Sequence, residues 1–338
     1  MIRVGVNGFG TIGRRVADAV AKQPDMKLVG IVKTKPDYKA NIAAQKGYTL
    51  FGVDDKSVQS FKDAGYKAGG SVNDLLSQVD VIVDATPEDV GAAYKEMYKK
   101  AGKKAIFQGG EEHDIAEVSF VAQCNYDLAK GKQFIRAVSC NTTALSRTLH
   151  TLDQAFGVKR ARIVIARRAS DPDEPTKGPI DSVNLDPVTI PSHHGPDVQT
   201  VLPHIPIVTM AYKIPTTHMH LHSVIVSLKE NGVTEDRIMN AFKEAPRILL
   251  VSQKDGIKAT AHVMDYAREL GRNRGDLYEP AIWKESIKVV DGEAYFFMAV
   301  HQESIVVPEN VDAIRAVTGS ASKSESMAMT NKTLGILN

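Results

Sequence analysis

The sequence predicts an α/β protein of two domains, in which a doubly wound parallel sheet is followed by an α+β domain with a mixed or antiparallel sheet. Three observations support this prediction. The chain has 338 residues, which is more than a single hydrophobic core usually serves. Strand and helix patterns alternate through the first half. The second half holds several stretches of alternating apolar and polar residues, which are typical of antiparallel strands.

The composition is that of a globular soluble protein and argues against two kinds of partner. Hydrophobic residues make up 43% and charged residues 24%, and no apolar run is long enough to cross a bilayer, so we expect no membrane span. The 42 basic and 40 acidic residues are intermixed, which excludes the basic stripe that nucleic acids require. The chain holds only two cysteines and residues 1–7 do not resemble a signal peptide, so a cytoplasmic location is expected.

A glycine-rich turn near the start of the chain predicts a nucleotide site. Residues 2–7 have strand character, residues 8–13 read Gly-Phe-Gly-Thr-Ile-Gly, and residues 14–22 have helical spacing. In a Rossmann-type domain the first glycine allows the tight turn, the second lets the pyrophosphate approach, and the third packs helix on strand. The predicted cofactor contacts are Gly8, Gly10, Thr11, Ile12 and Gly13. An ordinary structural turn is the alternative.

The end of the second predicted strand indicates which dinucleotide is bound. The strand at 27–32 is not followed by the acidic residue that would hold the ribose 2′-hydroxyl of NAD. It is followed by Lys33, Thr34 and Lys35, which could hold a 2′-phosphate by charge-assisted hydrogen bonds. NADP is therefore favoured over NAD. A solvated turn with two surface lysines is the alternative.

The alternation continues through a strand at 80–87, a helix at 88–101 and a strand at 104–110. Ligands of doubly wound sheets lie at the carboxyl ends of the strands. We therefore expect Thr86, Pro87, Gly109 and Gly110 to line the cofactor crevice.

Cys140 lies where a strand at 133–138 passes into a helix predicted for 144–156. A helix N-terminus favours the thiolate, and the polar residues around Cys140 could cap the helix and bind anions. Such a cysteine is a candidate nucleophile. A small buried hydrophobe is an equally good interpretation of the local sequence. Cys124 has no comparable setting.

The second domain is expected to span residues 140–303, and the dinucleotide-binding domain residues 1–139 together with the C-terminal helices in 304–338. Alternating patterns at 223–228, 283–290 and 294–300 predict strands of the second sheet, and helices are predicted at 309–317 and 327–337. Sheets of this kind often form subunit interfaces.

Six of the ten histidines lie between His193 and His222, so a base for the chemistry is expected among them. His218, His220 and His222 alternate and would share one face of an extended segment. Three such histidines also fit a zinc site, and a hydrogen-bonded cluster without metal is the third interpretation.

Arg167 and Arg168 end an apolar strand at 163–166 and should emerge together at the edge or mouth of the sheet. Arg167 is a candidate ligand for a substrate phosphate or inorganic phosphate. Surface arginines that cap a strand are the alternative.

Six segments together resemble the archaeal type of phosphorylating glyceraldehyde-3-phosphate dehydrogenase. They are residues 8–13, 107–111, 138–143, 191–197, 219–222 and 300–304, and their order and spacing cover nearly the whole chain.

The resemblance implies that Cys140 adds to the aldehyde of glyceraldehyde 3-phosphate, that hydride passes to NADP or NAD, and that inorganic phosphate attacks the thioester. It implies His220 as the general base, no metal, and a homotetramer. It implies substrate contacts at Ser139, Asn141, His194 and Gly195, to which Thr142 adds a hydroxyl donor, and cofactor contacts at Arg168 and Gln302. The bacterial and eukaryotic branch carries its base less than thirty residues after the cysteine; in this chain the corresponding stretch is Arg-Arg-Ala-Ser at 167–170, which contains no histidine.

Three other functions are compatible with parts of the sequence. Semialdehyde and acyl-phosphate reductases share the nucleotide fold and the catalytic cysteine. A dinucleotide-sensing regulatory protein would need neither Cys140 nor a histidine base. A zinc enzyme would be built on the three alternating histidines.

Overall fold

The computed structural model describes residues 1–108, 110–170 and 176–337. These residues form two compact units, one of residues 1–138 with 307–334 and one of residues 139–306 with 335–337. The sequence predicts that all of 304–338 belongs to the nucleotide domain, whereas residues 304–306 and 335–337 belong to the second unit. Residues 335–337 join the second unit because Arg272 Nη2 donates to Gly335 O at 2.8 Å, and Leu337 N donates to Glu279 Oε1 at 2.9 Å.

The first 138 residues alternate strands and helices. The strands are β1 (Ile2–Asn7), β2 (Met26–Lys33), β3 (Leu50–Gly52), β4 (Ala68–Ser71), β5 (Val81–Asp84), β6 (Lys104–Phe107), β7 (Val118–Phe120) and β8 (Phe134–Ala137). The helices are α1 (Gly13–Ala21), α2 (Tyr38–Gln45), α3 (Asp55–Asp63), α4 (Val72–Gln78), α5 (Val90–Lys100) and α6 (Ala122–Asn125).

The sheet of this unit has the order β4-β3-β2-β1-β5-β6-β8-β7, and its strands pair in parallel. The predicted doubly wound parallel sheet is confirmed. The strand order reverses between β1 and β5, which is where such sheets bind ligands. Both strands are apolar and buried, as expected for a sheet that helices cover on both faces.

The second unit holds the remaining strands and four helices. The helices are α7 (Cys140–Phe156), α8 (His194–Gln199), α9 (Glu235–Glu244) and α10 (Thr260–Glu269). The strands are β9 (Val158–Arg168), β10 (Asn184–Leu185), β11 (Ile207–Ile214), β12 (His220–Leu228), β13 (Leu249–Val251), β14 (Ala281–Trp283), β15 (Lys288–Val290) and β16 (Glu293–Val300).

The sheet of the second unit is mixed, which confirms the prediction. Its order is β10-β11-β9-β12-β16-β14-β13, with β15 paired to β16. β9 and β11 are parallel, whereas β12 is antiparallel to both β9 and β16. The strand predicted for 283–290 is in fact two strands, because a 3-10 turn at Lys284–Ser286 interrupts it.

Residues of β12 alternate between buried and half-buried positions. α7 packs against β9 and β16, the two neighbours of β12. Cys140, the first residue of α7, therefore belongs to the same unit as the histidines at the start of β12.

Two C-terminal helices, α11 (Val307–Thr318) and α12 (Lys323–Leu334), complete the first unit. The guanidinium of Arg315 is fully buried and makes two hydrogen bonds of 2.7 Å to Asp25, which directly precedes β2. This pair joins the C-terminal segment to the sheet of its unit. No helix among the described residues is long and apolar enough to cross a membrane.

Candidate active site

The turn between β1 and α1 accepts only glycine at two positions. Gly8 has φ +94°, and a Cβ there would lie 2.6 Å from Ala85 O. A Cβ on Gly13 would lie 2.0 Å from Gly8 O. Above Gly10, by contrast, a Cβ would meet no described atom within 4 Å, which leaves space for a ligand. The close contacts at Gly8 and Gly13 and the open space above Gly10 are compatible with the roles that the sequence predicts for them.

The start of α1 fits a pyrophosphate. Ile12 occupies the N-cap position and no side chain caps the helix. Arg14 N and Arg15 N already donate to Gly10 O and Ile12 O, so the amides that could meet a phosphate are those that precede Arg14. These amides and the helix dipole favour an anion. The residues present therefore fit the diphosphate of a dinucleotide.

Lys33 and Thr34 differ in their surroundings. The Lys33 side chain is 9% exposed and its Nζ lies 3.1 Å from both carboxylate oxygens of Asp37. Burial lowers the pKa of Lys33, against the effect of Asp37. Thr34 and Lys35 are exposed. The alternative of two solvated surface lysines is therefore wrong for Lys33.

Thr86 is held at the carboxyl end of β5 by the buried carboxylate of Asp84, which was not predicted as a site residue. Thr86 N donates to Asp84 Oδ1 at 3.0 Å, and the Tyr98 hydroxyl donates to Asp84 Oδ2 at 2.5 Å. Burial raises the pKa of Asp84, although these hydrogen bonds oppose the shift. Gly110 follows β6 with φ +90°, and Gly109 lies outside the described residues.

Cys140 is the first residue of α7, four residues before the predicted start of that helix. The helix begins early because Ser139 caps it, accepting from Thr142 N at 3.4 Å. Cys140 is half-buried. It is neither a sealed core residue nor fully exposed, and the helix N-terminus beside it favours the thiolate.

The two residues after Cys140 are both fixed by long-range hydrogen bonds. Asn141 Oδ1 accepts from His222 Nε2 at 2.8 Å, and the Thr142 hydroxyl donates to Asp197. Asp197 was not predicted as a site residue, although it closes the motif at 191–197.

His220 and His222 lie on the buried side of β12, and each has a defined proton position. Arg168 N donates to His220 Nδ1 at 3.0 Å, so the neutral His220 ring carries its proton on Nε2. His220 Nε2 is buried without a hydrogen-bond partner among the described residues. The Asn141 carbonyl can only accept, so His222 also carries its proton on Nε2.

Both rings are held neutral. Burial lowers the pKa of His220 well below its ordinary value, and the charge of Arg167 adds to the effect. Burial alone lowers the pKa of His222 to about 3. A general base at His220 Nε2 would need that atom free of its proton, which the hydrogen bond from Arg168 opposes.

His218 does not share the face of the other two histidines, so that expectation is wrong. Met219 has φ +65° and breaks the extended backbone before β12 begins. His218 is exposed, and its Nδ1 lies 3.2 Å from Met264 Sδ. Within residues 1–108, 110–170 and 176–337, no group of three or more His, Cys, Asp or Glu side chains could hold a metal.

His194 and Gly195, at the start of α8, are fixed by neighbouring hydroxyl groups. His194 is buried, and its Nδ1 lies 3.1 Å from Ser192 Oγ. Burial, together with the neighbouring His193, lowers the pKa of His194 to about 2. Gly195 N donates to Thr209 Oγ1 at 2.9 Å. Neither hydroxyl was predicted as a site residue; Ser192 is a local neighbour of His194, whereas Thr209 reaches Gly195 through a tertiary contact.

Arg167 and Arg168 diverge and do not emerge together, because successive side chains of a strand point to opposite faces. Arg167 is half-buried and forms an ion pair with Asp186. Arg168 is buried, and donates to Gln302 Oε1 at 2.7 Å and to Glu303 Oε1 at 2.6 Å. The alternative of surface arginines is wrong for Arg168.

Comparison with known proteins identifies the family. The model of the glyceraldehyde 3-phosphate dehydrogenase C-terminal domain matches residues 139–274, and that of the dihydrodipicolinate reductase N-terminus matches residues 2–124. Proteins named glyceraldehyde-3-phosphate dehydrogenase are 54% identical in Methanopyrus kandleri (100% of this chain, 98% of the relative), 51% in Thermococcus kodakarensis (99% of each) and 49% in Methanothermus fervidus (100% of each). The chain belongs to the glyceraldehyde-3-phosphate dehydrogenase family.

Proposed function

We propose that the protein catalyses the phosphorylating oxidation of D-glyceraldehyde 3-phosphate with NADP or NAD, and that Cys140 is the nucleophile. The observation that carries the proposal is the half-buried Cys140 at the N-terminus of α7. The same unit holds a buried Nε2–H of His220 that has no partner among the described residues. A buried donor without a partner is costly, and a substrate oxygen would satisfy it.

In the oxidation step, the Cys140 thiolate adds to the aldehyde carbon and the carbonyl electron pair moves to oxygen. His220 donates its Nε2–H to this alkoxide. When the alkoxide collapses to a carbonyl, the hydride leaves and a thioester on Cys140 remains. A bound nicotinamide supplies the acceptor for that hydride. This sequence conserves charge without a proton transfer, so His220 acts as a hydrogen-bond donor and the general-base role is not required.

In the second step, an oxygen of inorganic phosphate attacks the thioester carbon, the carbon–sulfur bond breaks, and the Cys140 thiolate is restored. The residues that we propose to bind the substrate and the phosphate groups are Ser139, Asn141, Thr142, Arg167, His194 and Gly195. The positive charge of Arg167 helps to lower the pKa of both His194 and His220. Arg167 therefore acts close to these two histidines, which supports its assignment to this group.

For the dinucleotide, we propose contacts at Gly8, Gly10, Thr11, Ile12, Gly13, Lys33, Thr34, Thr86 and Gly110, and we also propose Arg168 and Gln302 as cofactor contacts. At Gly8 and Gly13 the nearby backbone oxygens leave no room for a side chain, which supports the proposed contacts at this turn. Arg168 and Gln302 are joined to each other, so either substitution should affect both.

The direct test follows NADPH and NADH formation from glyceraldehyde 3-phosphate, with and without inorganic phosphate. We expect phosphate-dependent turnover that Cys140→Ser abolishes. Cys124→Ser is the matched control, because Cys124 is also half-buried and, like Cys140, is not part of a disulfide, and should retain activity. Full activity after demonstrated alkylation of Cys140, or faster turnover of aspartate semialdehyde, would contradict the proposal.

The role of His220 is tested by comparing two variants. If Nε2–H is a hydrogen-bond donor, His220→Ala should lower kcat about 100- to 1000-fold, and His220→Gln, which keeps an N–H donor, should recover part of this loss. Equal losses in both variants, with the same change in the pH profile of kcat, would show that a base has been removed.

We also propose a homotetramer in the cytoplasm. Several large apolar side chains are exposed, including Val188, Ile190, Met210 and Phe297, and exposed apolar clusters mark interfaces. Neither cysteine is part of a disulfide, which is usual for proteins of a reducing compartment. Light scattering should give about four times the 36.8 kDa chain mass, and Ile190→Glu should lower it. A monomeric wild-type protein would refute the assembly.

A further inference from the structure

We propose that Asp37 is a built-in counter-ion of Lys33 that takes the place of the 2′-phosphate when NAD is bound, and so sets how strongly the protein prefers NADP. This inference rests on the proposed function in one respect, namely that Lys33 meets the 2′-phosphate. It assigns to Asp37 a role in cofactor specificity.

Asp37 is held in place from two sides. It is the N-cap of α2, and its Oδ1 accepts from Lys39 N at 2.9 Å and from Ala40 N at 3.0 Å. Lys33 Nζ lies 3.1 Å from each of its two oxygens. Because the helix amides hold the carboxylate, it cannot turn away from Lys33 without uncapping α2.

The carboxylate is charged in the folded protein. Burial acts to raise the pKa of Asp37, but hydrogen bonds from Ala40 N and Lys33 outweigh it, and the pKa is lowered. Lys33 is the more buried partner, with a side chain 9% exposed against 26% for Asp37. A cation so placed is unfavourable without a nearby anion.

The consequence differs between the two cofactors. NAD brings no anion to Lys33, so the ion pair with Asp37 that the described residues show is the same before and after NAD binds. NADP brings a phosphate that competes with Asp37 for Lys33 and is repelled by it. Asp37 therefore opposes NADP and leaves NAD binding unchanged, and its charge reduces the difference in affinity between the two cofactors that Lys33 creates.

The test is Asp37→Asn, which keeps the side-chain oxygen that caps α2 and removes the charge. Affinities for NADP and NAD are measured by calorimetry without substrate, so that binding and not turnover is read. We expect the ratio of NAD to NADP dissociation constants to rise about tenfold, through tighter NADP binding. Asp54→Asn is the matched control, because Asp54 caps α3 by accepting from Ser57 N at 2.7 Å, and should leave the ratio unchanged.

Lys33→Gln separates failure of the inference from failure of the proposed cofactor contact. If Lys33→Gln lowers the ratio and Asp37→Asn leaves it within twofold of wild type, the counter-ion role is overturned and the Lys33 contact stands. If Lys33→Gln leaves the ratio unchanged, the Lys33 contact is overturned and the inference fails with it. Equal weakening of both cofactors by Asp37→Asn would reduce Asp37 to a helix cap and overturn its role in specificity.

Discussion

Acid should destabilise the second unit through three histidines that the fold keeps neutral. His194, His220 and His222 are buried, and burial lowers the pKa of each, to about 2 for His194 and about 3 for His222. In the unfolded chain these residues return to an ordinary value of 6.5. The unfolded state therefore binds more protons, and stability falls as the pH drops below 6.5.

The size of the loss at pH 5 depends mainly on the unfolded pKa, because the folded pKa values of His194 and His222, about 2 and about 3, lie below pH 5. Each of these two histidines then contributes about 2 kcal/mol of destabilisation relative to pH 7.5, at ~1.4 kcal/mol per pH unit. Together they give about 4 kcal/mol, which is a large part of the stability of many domains, and the lowered pKa of His220 acts in the same direction.

The assay is denaturant unfolding at pH 7.5 and pH 5, followed by the fluorescence of Trp283. This is the only tryptophan in the chain, and it belongs to the unit that holds the three histidines. His222→Gln should reduce the pH-dependent loss by about 2 kcal/mol. His262→Gln, at an exposed histidine, should leave the loss unchanged. The reasoning is refuted if His222→Gln and wild type lose the same free energy between the two pH values.

Three further substitutions test other parts of the structure. Gly13→Ala places a methyl group 2.0 Å from a backbone oxygen, so calorimetry should find dinucleotide binding lost. Asp197→Asn weakens the hydrogen bond that orients Thr142; we expect a several-fold rise in the KM for phosphate, and an unchanged KM would count against this contact. Arg315→Leu leaves Asp25 without its partner, and should lower the free energy of unfolding by about 3–5 kcal/mol, measured by thermal or denaturant unfolding; a loss below about 1 kcal/mol would show that the pair is replaceable.

The local sequence was enough to predict features whose physics is local. The turn at Gly8 needs a residue that tolerates φ +94° and a close backbone approach, and glycine alone meets both conditions. Cys140 stands at a strand-to-helix junction in the sequence as in the fold. The alternation of strands and helices predicted the parallel sheet, because each helix must bury its apolar face against the sheet between two successive strands.

Tertiary structure decided the partners of the site residues, since these come from distant parts of the chain. Asp186 neutralises Arg167, Asp197 holds Thr142, and Glu303 pairs with Arg168. Asp197 and Glu303 lie inside the segments 191–197 and 300–304 that carry the family resemblance, but the side chain that each carboxylate contacts depends on how strands and helices pack.

The histidines show the same division. The sequence placed three of them at alternating positions, but whether they share a face depends on the backbone between them, and the left-handed conformation of Met219 removes His218. The proton of His220 is on Nε2 only because β9 brings the Arg168 amide to Nδ1. Residue type alone determined that an imidazole was present; strand pairing determined which of its nitrogens can donate.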